Sequence, residues 1–240
     1  MKKIFFEQAR RVVIKIGSSL LIKDNKFNQE WVENLIEDLE LLIKEKIEII
    51  IVASGSVSLG KNYLKVKSRK LKIHEKQAYA ACGQVILMKN LMKIFEKRKK
   101  KVAQILLTYS DTEDRRKSLN SRDTINEVLK YAILPIINEN DSVAVDELKF
   151  GDNDRLAARV AQISNSDFLI LLSDVDGLFT TNPKKSKSSK LVRVVEKIDK
   201  KIIKMASNET NIYGTGGMSA KLEAADIAMS CGCSTIICNG

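Results

Sequence analysis

The chain reads as an α/β protein, a three-layer αβα sandwich built on a mostly parallel central sheet. Three observations predict this. Six short runs rich in β-branched residues, at 12–16, 47–53, 102–107, 133–137, 168–172 and 235–238, are nearly continuous in apolar residues, as strands buried on both faces are. Stretches with the apolar period of a helix lie between them. Runs and stretches alternate along the chain, and such alternation produces parallel pairing with helices packed on both faces of the sheet.

The elements follow in order. The run at 12–16 leads into Lys15-Ile16-Gly17-Ser18-Ser19. Trp31, Leu35, Leu39 and Leu42 then recur at helical spacing behind an N-cap candidate, Asn28. After the run at 47–53 comes a glycine-bearing turn, Ser54-Gly55-Ser56. A second helical stripe is Ala78, Ala81, Val85, Met88, Leu91 and Phe95, closed by the basic run Lys97-Arg98-Lys99-Lys100-Lys101. Cations at a helix end offset the dipole there. Between 142 and 149, Val143, Val145 and Leu148 approach strand periodicity, which predicts a small hairpin over the end of the sheet. Leu156, Val160 and Ile163 mark a third helix. Residues 182–190 form a polar loop with a breaker at Pro183. Met218, Leu222, Ala225 and Met229 mark the last helix. No internal repeat and no linker interrupts the 240 residues, which read as one domain.

Composition narrows the function. Lys and Arg number 41 against 30 Asp and Glu, a formal net charge of +11. That surplus suits anionic partners such as nucleotides, phosphates and carboxylates. The single histidine, His74, stands among lysines and reads as a solvated side chain. It argues against a poly-His metal site and against Ser-His-Asp chemistry. Cys82, Cys231, Cys233 and Cys238 are few and set in apolar segments, as in a reducing cytosol, where they act as small buried hydrophobes. No secretory leader or membrane span is legible, so a cytoplasmic protein is expected. The basic run lacks interleaved aromatic residues, so no nucleic-acid surface is expected.

In open α/β sheets ligands bind beyond the carboxyl ends of the strands. Lys15 at a strand end, followed by Gly17 and Ser18, can seat a phosphate; a solvated strand-end lysine is the plain alternative. Residues 55–62 come close to a P-loop through Gly55, Gly60 and Lys61, but Asn62 replaces the magnesium-binding hydroxyl. A glycine turn that seats a small substrate fits better. Asn138-Glu139-Asn140-Asp141-Ser142 and Gly151-Asp152-Asn153-Asp154 gather carboxylates and amides outside any helical pattern. Such groups can recognise a zwitterion or a metal, or merely build turns. Calcium-loop spacing is absent. Gly214-Thr215-Gly216-Gly217-Met218-Ser219-Ala220-Lys221 sets glycines at a helix N-terminus with a lysine one turn in, a strong polyphosphate signal.

Taken together and in this order, these motifs resemble the glutamate 5-kinases of the amino acid kinase family, from about residue 12 to residue 240. Lys15 to Ser19 resembles the first nucleotide motif, and Val52-Ala53-Ser54-Gly55 the Ser-Gly substrate turn. PIINENDSV at 135–143 and GDND at 151–154 resemble two glutamate loops, and 214–221 a second nucleotide motif. Kinases of N-acetylglutamate, aspartate, carbamate and UMP share the fold but lack the INEND and GDND pair. Ala53 and Ala220 stand where family members often carry hydroxyl residues.

The resemblance implies the amino acid kinase fold over 1–240, without the PUA domain that many members carry after it. It implies ATP-dependent phosphorylation of the side-chain carboxylate of L-glutamate, with Mg²⁺, as the first step of proline biosynthesis. Lys15 and Lys221 would flank the transferring phosphoryl group, held by Asp154. Ser54, Gly55, Asp141 and Asn153 would bind glutamate, with Asn138 and Asp152 in support. Gly17, Ser18, Ser173, Asp174, Thr215, Gly216, Gly217, Met218, Ser219 and Ala220 would hold the nucleotide. A homo-oligomer and feedback inhibition by proline are expected on the same ground. N-acetylglutamate is the rival substrate, and Asp141 discriminates, because only a free α-ammonium needs a carboxylate partner.

Overall fold

A computed structural model describes residues 9–66, 71–144, 153–183, 186, 188–206 and 217–240. Along the chain come β1 (Arg11–Ile16), the short α1 (Ser18–Leu21), β2 (Ile22–Lys23), β3 (Lys26–Phe27), α2 (Gln29–Lys44), β4 (Glu48–Ala53), α3 (Ser56–Tyr63) and α4 (Ile73–Lys97). Then follow β5 (Lys101–Leu107), α5 (Tyr109–Glu113), α6 (Arg115–Lys130), β6 (Ile133–Glu139), α7 (Asn153–Ile163), β7 (Phe168–Ser173), α8 (Lys200–Ala206), α9 (Met218–Ser230) and β8 (Ser234–Asn239). All six apolar runs are strands. They form one sheet in the order β5-β6-β4-β1-β7-β8, every neighbouring pair parallel. A separate antiparallel ribbon, β2 with β3, turns through Asp24 and Asn25 at φ 51° and 59°, the positive values that a tight two-residue hairpin turn requires.

Both faces of the sheet are covered. Val12, Ile14 and Ile16 of β1 join Ile49, Ile51 and Ile136 beneath α2 and α4. Val13 joins Ile50, Val52, Ile137 and Leu171 on the other face, against Leu156 and Val160 of α7 and Ala224 and Ala228 of α9. Side chains alternate along a strand, so Lys15 shares the face of Val13. That period of two aims Lys15 at the layer of α7 and α9. A smaller cluster of Leu178, Ala206, Met218 and Leu222 joins α8 to α9.

The helices depart from expectation in detail. Asn28 is the N-cap residue of α2, but its amide donates to the Leu20 carbonyl at 3.0 Å instead of closing the helix end. On α4, Met88, Leu91 and Phe95 are buried as expected, but the first half of the stripe is rotated and leaves Ala78 and Ala81 exposed. Ala80, Gly83, Gln84, Leu87 and Leu91 face inward, and Val85 is exposed. The cause is a close crossing with α3. A Cβ on Gly83 would lie 1.7 Å from the Ser56 carbonyl oxygen, and one on Gly60 would lie 1.8 Å from that of Tyr79. Backbone thus packs directly on backbone, and the face that bears the glycines turns inward. Gly60 serves this crossing, which accounts for the P-loop likeness of 55–62. Gly83→Ala should therefore destabilise the protein by roughly 1–3 kcal/mol or more through overpacking, although alanine is the better helix former. A thermal unfolding midpoint equal to the parent's would contradict the crossing.

Elsewhere, Asp141 to Val143 form a turn, and the rest of the expected hairpin, 145–149, lies outside the described residues. The described part of the 182–190 loop has no helix or strand. It is closed at its base by Thr180 N–H donating to the Lys190 carbonyl at 2.9 Å. Cys233 is buried and Cys238 partly so, but Cys231 is exposed just past the end of α9, so the expectation of a buried thiol fails there. Burial pushes the Cys233 thiol up to about 12. Among the described residues no helix is long and apolar enough to cross a membrane.

Candidate active site

The strand order positions the site. β1 stands between β4 and β7, and the chain passes from β6 on one side to β7 on the other through α7. That reversal beside β1 opens a crevice beyond the carboxyl ends of the strands. α7 begins there, with Asn153 and Asp154 as its first two residues.

Asp154 is fully buried and stands between two lysines that are 5% and 4% exposed. Its Oδ1 is 2.6 Å from Lys15 Nζ, and its Oδ2 accepts from Lys221 Nζ at 2.9 Å. Burial opposes ionisation of this carboxyl and is the largest influence on it. The charges of Lys15 and Lys221, with their hydrogen bonds, outweigh it and hold the carboxyl below its usual range. Lys15 arrives from the sheet, and Lys221 from the first turn of α9 behind the N-cap Gly217. Two cations about one anion suit a position next to an anionic group.

Asn153 faces the other way, toward β4 and β6. Its Nδ2 lies 2.9 Å from the Ala53 carbonyl, 2.9 Å from Ser54 Oγ and 2.8 Å from Asn138 Oδ1. Asn138 is buried. Its Oδ1 also accepts from the backbone N–H of Glu139 at 2.9 Å, and its Nδ2 donates to Gln84 Oε1 at 2.8 Å. Gly55 opens α3 at φ +103°, a value that favours glycine. It sets Ser56 Oγ 3.5 Å from Asp141 Oδ2. Ser54, Gly55, Asn138 and Asp141 are thus gathered at the ends of two adjacent strands with Asn153, the sequence neighbour of Asp154. Asp152 lies outside the described residues.

On the far side of β1, Gly17 is the N-cap residue of α1 and Ser18 is exposed. Ser173 ends β7 and is buried, its Oγ donating to Asp174 Oδ1 at 3.2 Å, while Asp174 is exposed. The Met218 side chain packs into the cluster with Leu178, which leaves its backbone for any ligand. Ser219 is exposed and Ala220 half-buried. Thr215 and Gly216 lie outside the described residues. Among the described residues no three His, Cys, Asp or Glu side chains gather as a metal site.

Three features were not anticipated from the sequence. Ser56 meets Asp141, and Gln84 meets Asn138. A cavity of about 280 Å³ opens past β5, where Asp111 and Lys117 stand 3.4 Å apart beside Thr108 and Asn140. Gln84 carried a legible signal, a polar residue in register with Ala80, Leu87 and Leu91.

Comparison with known proteins places the chain in a family. The model of a family described as the amino acid kinase family matches residues 10–239. A curated glutamate 5-kinase of Pelagibacter ubique is 47% identical over 238 residues, covering 99% of this chain and 65% of that protein. One of Caulobacter vibrioides is 44% identical over 239 residues, covering 98% and 63%. The chain thus spans somewhat less than two thirds of the length of these relatives. Among solved structures, carbamate kinase from Giardia lamblia bound to AMP-PNP superposes with a TM-score of 0.65 at 15% identity, covering 97% of this chain and 93% of that one. UMP kinase from Bacillus anthracis gives 0.62 at 18%, covering 96% and 87%. At such identities these two likenesses establish the fold.

Proposed function

The chain belongs to the amino acid kinase family, and from that premise we propose that it transfers the γ-phosphoryl group of ATP to the side-chain carboxylate of L-glutamate. The product is L-glutamyl 5-phosphate, and the reaction is the first step of proline biosynthesis. The observation that carries the reading is the buried Asp154 holding Lys15 and Lys221, directly beside the cluster of Ser54, Asn138 and Asn153.

A carboxylate oxygen forms the new bond to phosphorus, the bond from phosphorus to the β-phosphate oxygen breaks, and ADP departs with that electron pair. The attacking carboxylate is already ionised at neutral pH, so the step needs no general base. That suits a chain whose single histidine is exposed on α4. Positioning and charge stabilisation remain as the tasks of the protein. Lys15 and Lys221 neutralise charge on the transferring group, and Asp154 keeps the two ammonium groups from repelling each other apart. Asp141 takes the α-ammonium, with Ser54 and Asn153 on the rest of the amino acid and Asn138 and Asp152 behind them.

The nucleotide side consists of Gly17, Ser18, Ser173, Asp174 and the segment from Thr215 to Lys221. Mg²⁺ fits as an ion carried in by the nucleotide. Asp154 has a lysine on each oxygen, whereas the exposed Asp174 can share in coordination that phosphates and water otherwise supply. When bound, the ion neutralises phosphate charge. A cytoplasmic setting, a homo-oligomeric assembly and inhibition by proline belong to the same proposal.

Measuring ADP release with glutamate, N-acetylglutamate, aspartate and UMP tests it. Glutamate should turn over fastest, and hydroxylamine should trap the acyl phosphate as a hydroxamate. Faster turnover of another acceptor would overturn the reading. Within it, Asp141→Ala should raise the glutamate KM. Asp141 is only half-buried, so the loss should sit near the low end for a truncated charge pair, about 2 kcal/mol, or roughly thirtyfold. An equal rise in the ATP KM would contradict that role.

A further inference from the structure

The turn that carries Asp141 is held at two points by the pair α3 and α4. Ser56, the first residue of α3, is 4% exposed, and its Oγ stands 3.5 Å from Asp141 Oδ2. An ionised carboxylate only accepts, so the hydroxyl is the donor. Gln77, in the second turn of α4, donates from Nε2 to the Ala144 carbonyl at 3.1 Å. Between these contacts the turn closes on itself, the N–H groups of Val143 and Ala144 donating to the Asn140 carbonyl at 3.2 and 3.1 Å. Both holding side chains belong to one closely packed unit. α3 and α4 meet backbone on backbone, and the Ser56 carbonyl oxygen is itself part of that contact, 1.7 Å from where a Cβ on Gly83 would lie. Ser56 therefore has little room to shift.

Asp141 is half-buried and stands on a turn, so regular structure does not fix its side chain. Its χ1 has three staggered wells. A ligand that needs the carboxylate in one of them binds in proportion to the share of molecules already there. On the reading of Asp141 as the partner of the substrate α-ammonium, we infer that Ser56 and Gln77 are positioning residues for the amino acid. Ser56 keeps the Asp141 carboxylate in one orientation, and Gln77 keeps the turn beneath it in place. Both act through Asp141, so the grip on a free ammonium depends on two helices that the glutamate loops themselves do not include.

Ser56→Ala should raise the glutamate KM roughly 3- to 10-fold. Threefold is the loss when the three wells fill equally, and tenfold is the loss of one hydrogen bond of ordinary strength. Gln77→Met, which keeps the length of the side chain without its donor, should do the same, and it keeps the test open if Ser56→Ala folds poorly. The KM for ATP should stay within twofold in both. The Asp141→Ala background separates positioning from a general loosening of the site. With no carboxylate left to orient, either substitution should change the glutamate KM there by less than twofold, so the double-mutant cycles should be strongly non-additive. A glutamate KM within twofold of the parent's in either folded single variant would overturn the inference. So would a parallel rise for ATP, or an additive cycle. Asp141→Ala alone tests the reading beneath it. If that variant binds glutamate as the parent does, both fall; if it loses glutamate while Ser56→Ala and Gln77→Met do not, only the inference falls. If the parent prefers another acceptor, the same cycles on that acceptor decide, and if it phosphorylates none, both fall.

Discussion

Replacing Lys221 by alanine is expected to lower kcat by roughly 10²–10³-fold or more, the loss typical of one preorganised charge-stabilising donor. Lys221 stands in the first turn of α9, 4% exposed, its ammonium fixed 2.9 Å from Asp154 Oδ2. A cation held in place away from water acts through a lower dielectric than a surface lysine does, and no reorganisation is needed when the phosphoryl group passes. On the proposed function, charge on that group is redistributed at the transition state, so the ammonium should act on kcat more than on the binding of either substrate. Lys221→Arg should recover little. A planar guanidinium is wider than an ammonium and cannot occupy the same point between Asp154 and a phosphoryl oxygen. The check is kcat and both KM values, with circular dichroism confirming the fold. A folded Lys221→Ala with near-parental kcat would move the transfer centre away from this triad.

The strands were legible because both of their faces are buried, which writes each of them as an unbroken apolar run. The same burial made α7 and α9 legible through Leu156, Val160, Met218 and Leu222. α6 was not, since Ile125 is its one fully buried residue and its other large apolar side chains, Leu119, Val128 and Leu129, are few and only partly covered or exposed among Arg, Lys, Ser, Asn and Asp. It lacks the stripe that sequence reading needs. α3 was hidden for a different reason. Its contact with α4 is made by glycines and main chain, and hydrophobic periodicity does not register backbone packing. For the site, the glycines and lysine of 214–221 pointed to a phosphate seat on chemical grounds, a reading that belongs to the proposed function. The pairing of Lys15 with Asp154 and Lys221 was legible only through the resemblance, because it takes the alternation along β1 and the crossing of α7 to bring residues so distant in sequence together. Gln84 was visible as a polar residue on an apolar stripe, but its partner Asn138 comes from β6, distant in sequence.

Asp154→Asn should damage both activity and stability. The variant leaves Lys15 and Lys221, each nearly fully buried, without the carboxylate between them. Removing one member of a buried ionic cluster typically costs about 3–5 kcal/mol. Its kcat should fall as far as that of Lys221→Ala. On the proposed function the three side chains work as one unit, so the double variant should be little worse than either single one. A polyphosphate supplies negative charge to the same lysines, so ATP should raise the thermal midpoint of the variant more than that of the parent. The pH dependence has a definite sign. Asp154 is held below its usual range in the folded protein. Its contribution is therefore complete above the unfolded value, about 3.9, and is lost as pH falls through the lower folded value. The gap between the midpoints of parent and variant should be full above about pH 5 and should narrow on acidification below about pH 4. A gap that stayed constant down to the acid limit of folding, or an Asp154→Asn enzyme with parental kcat, would mean that the carboxylate neither holds the two lysines nor serves the transfer.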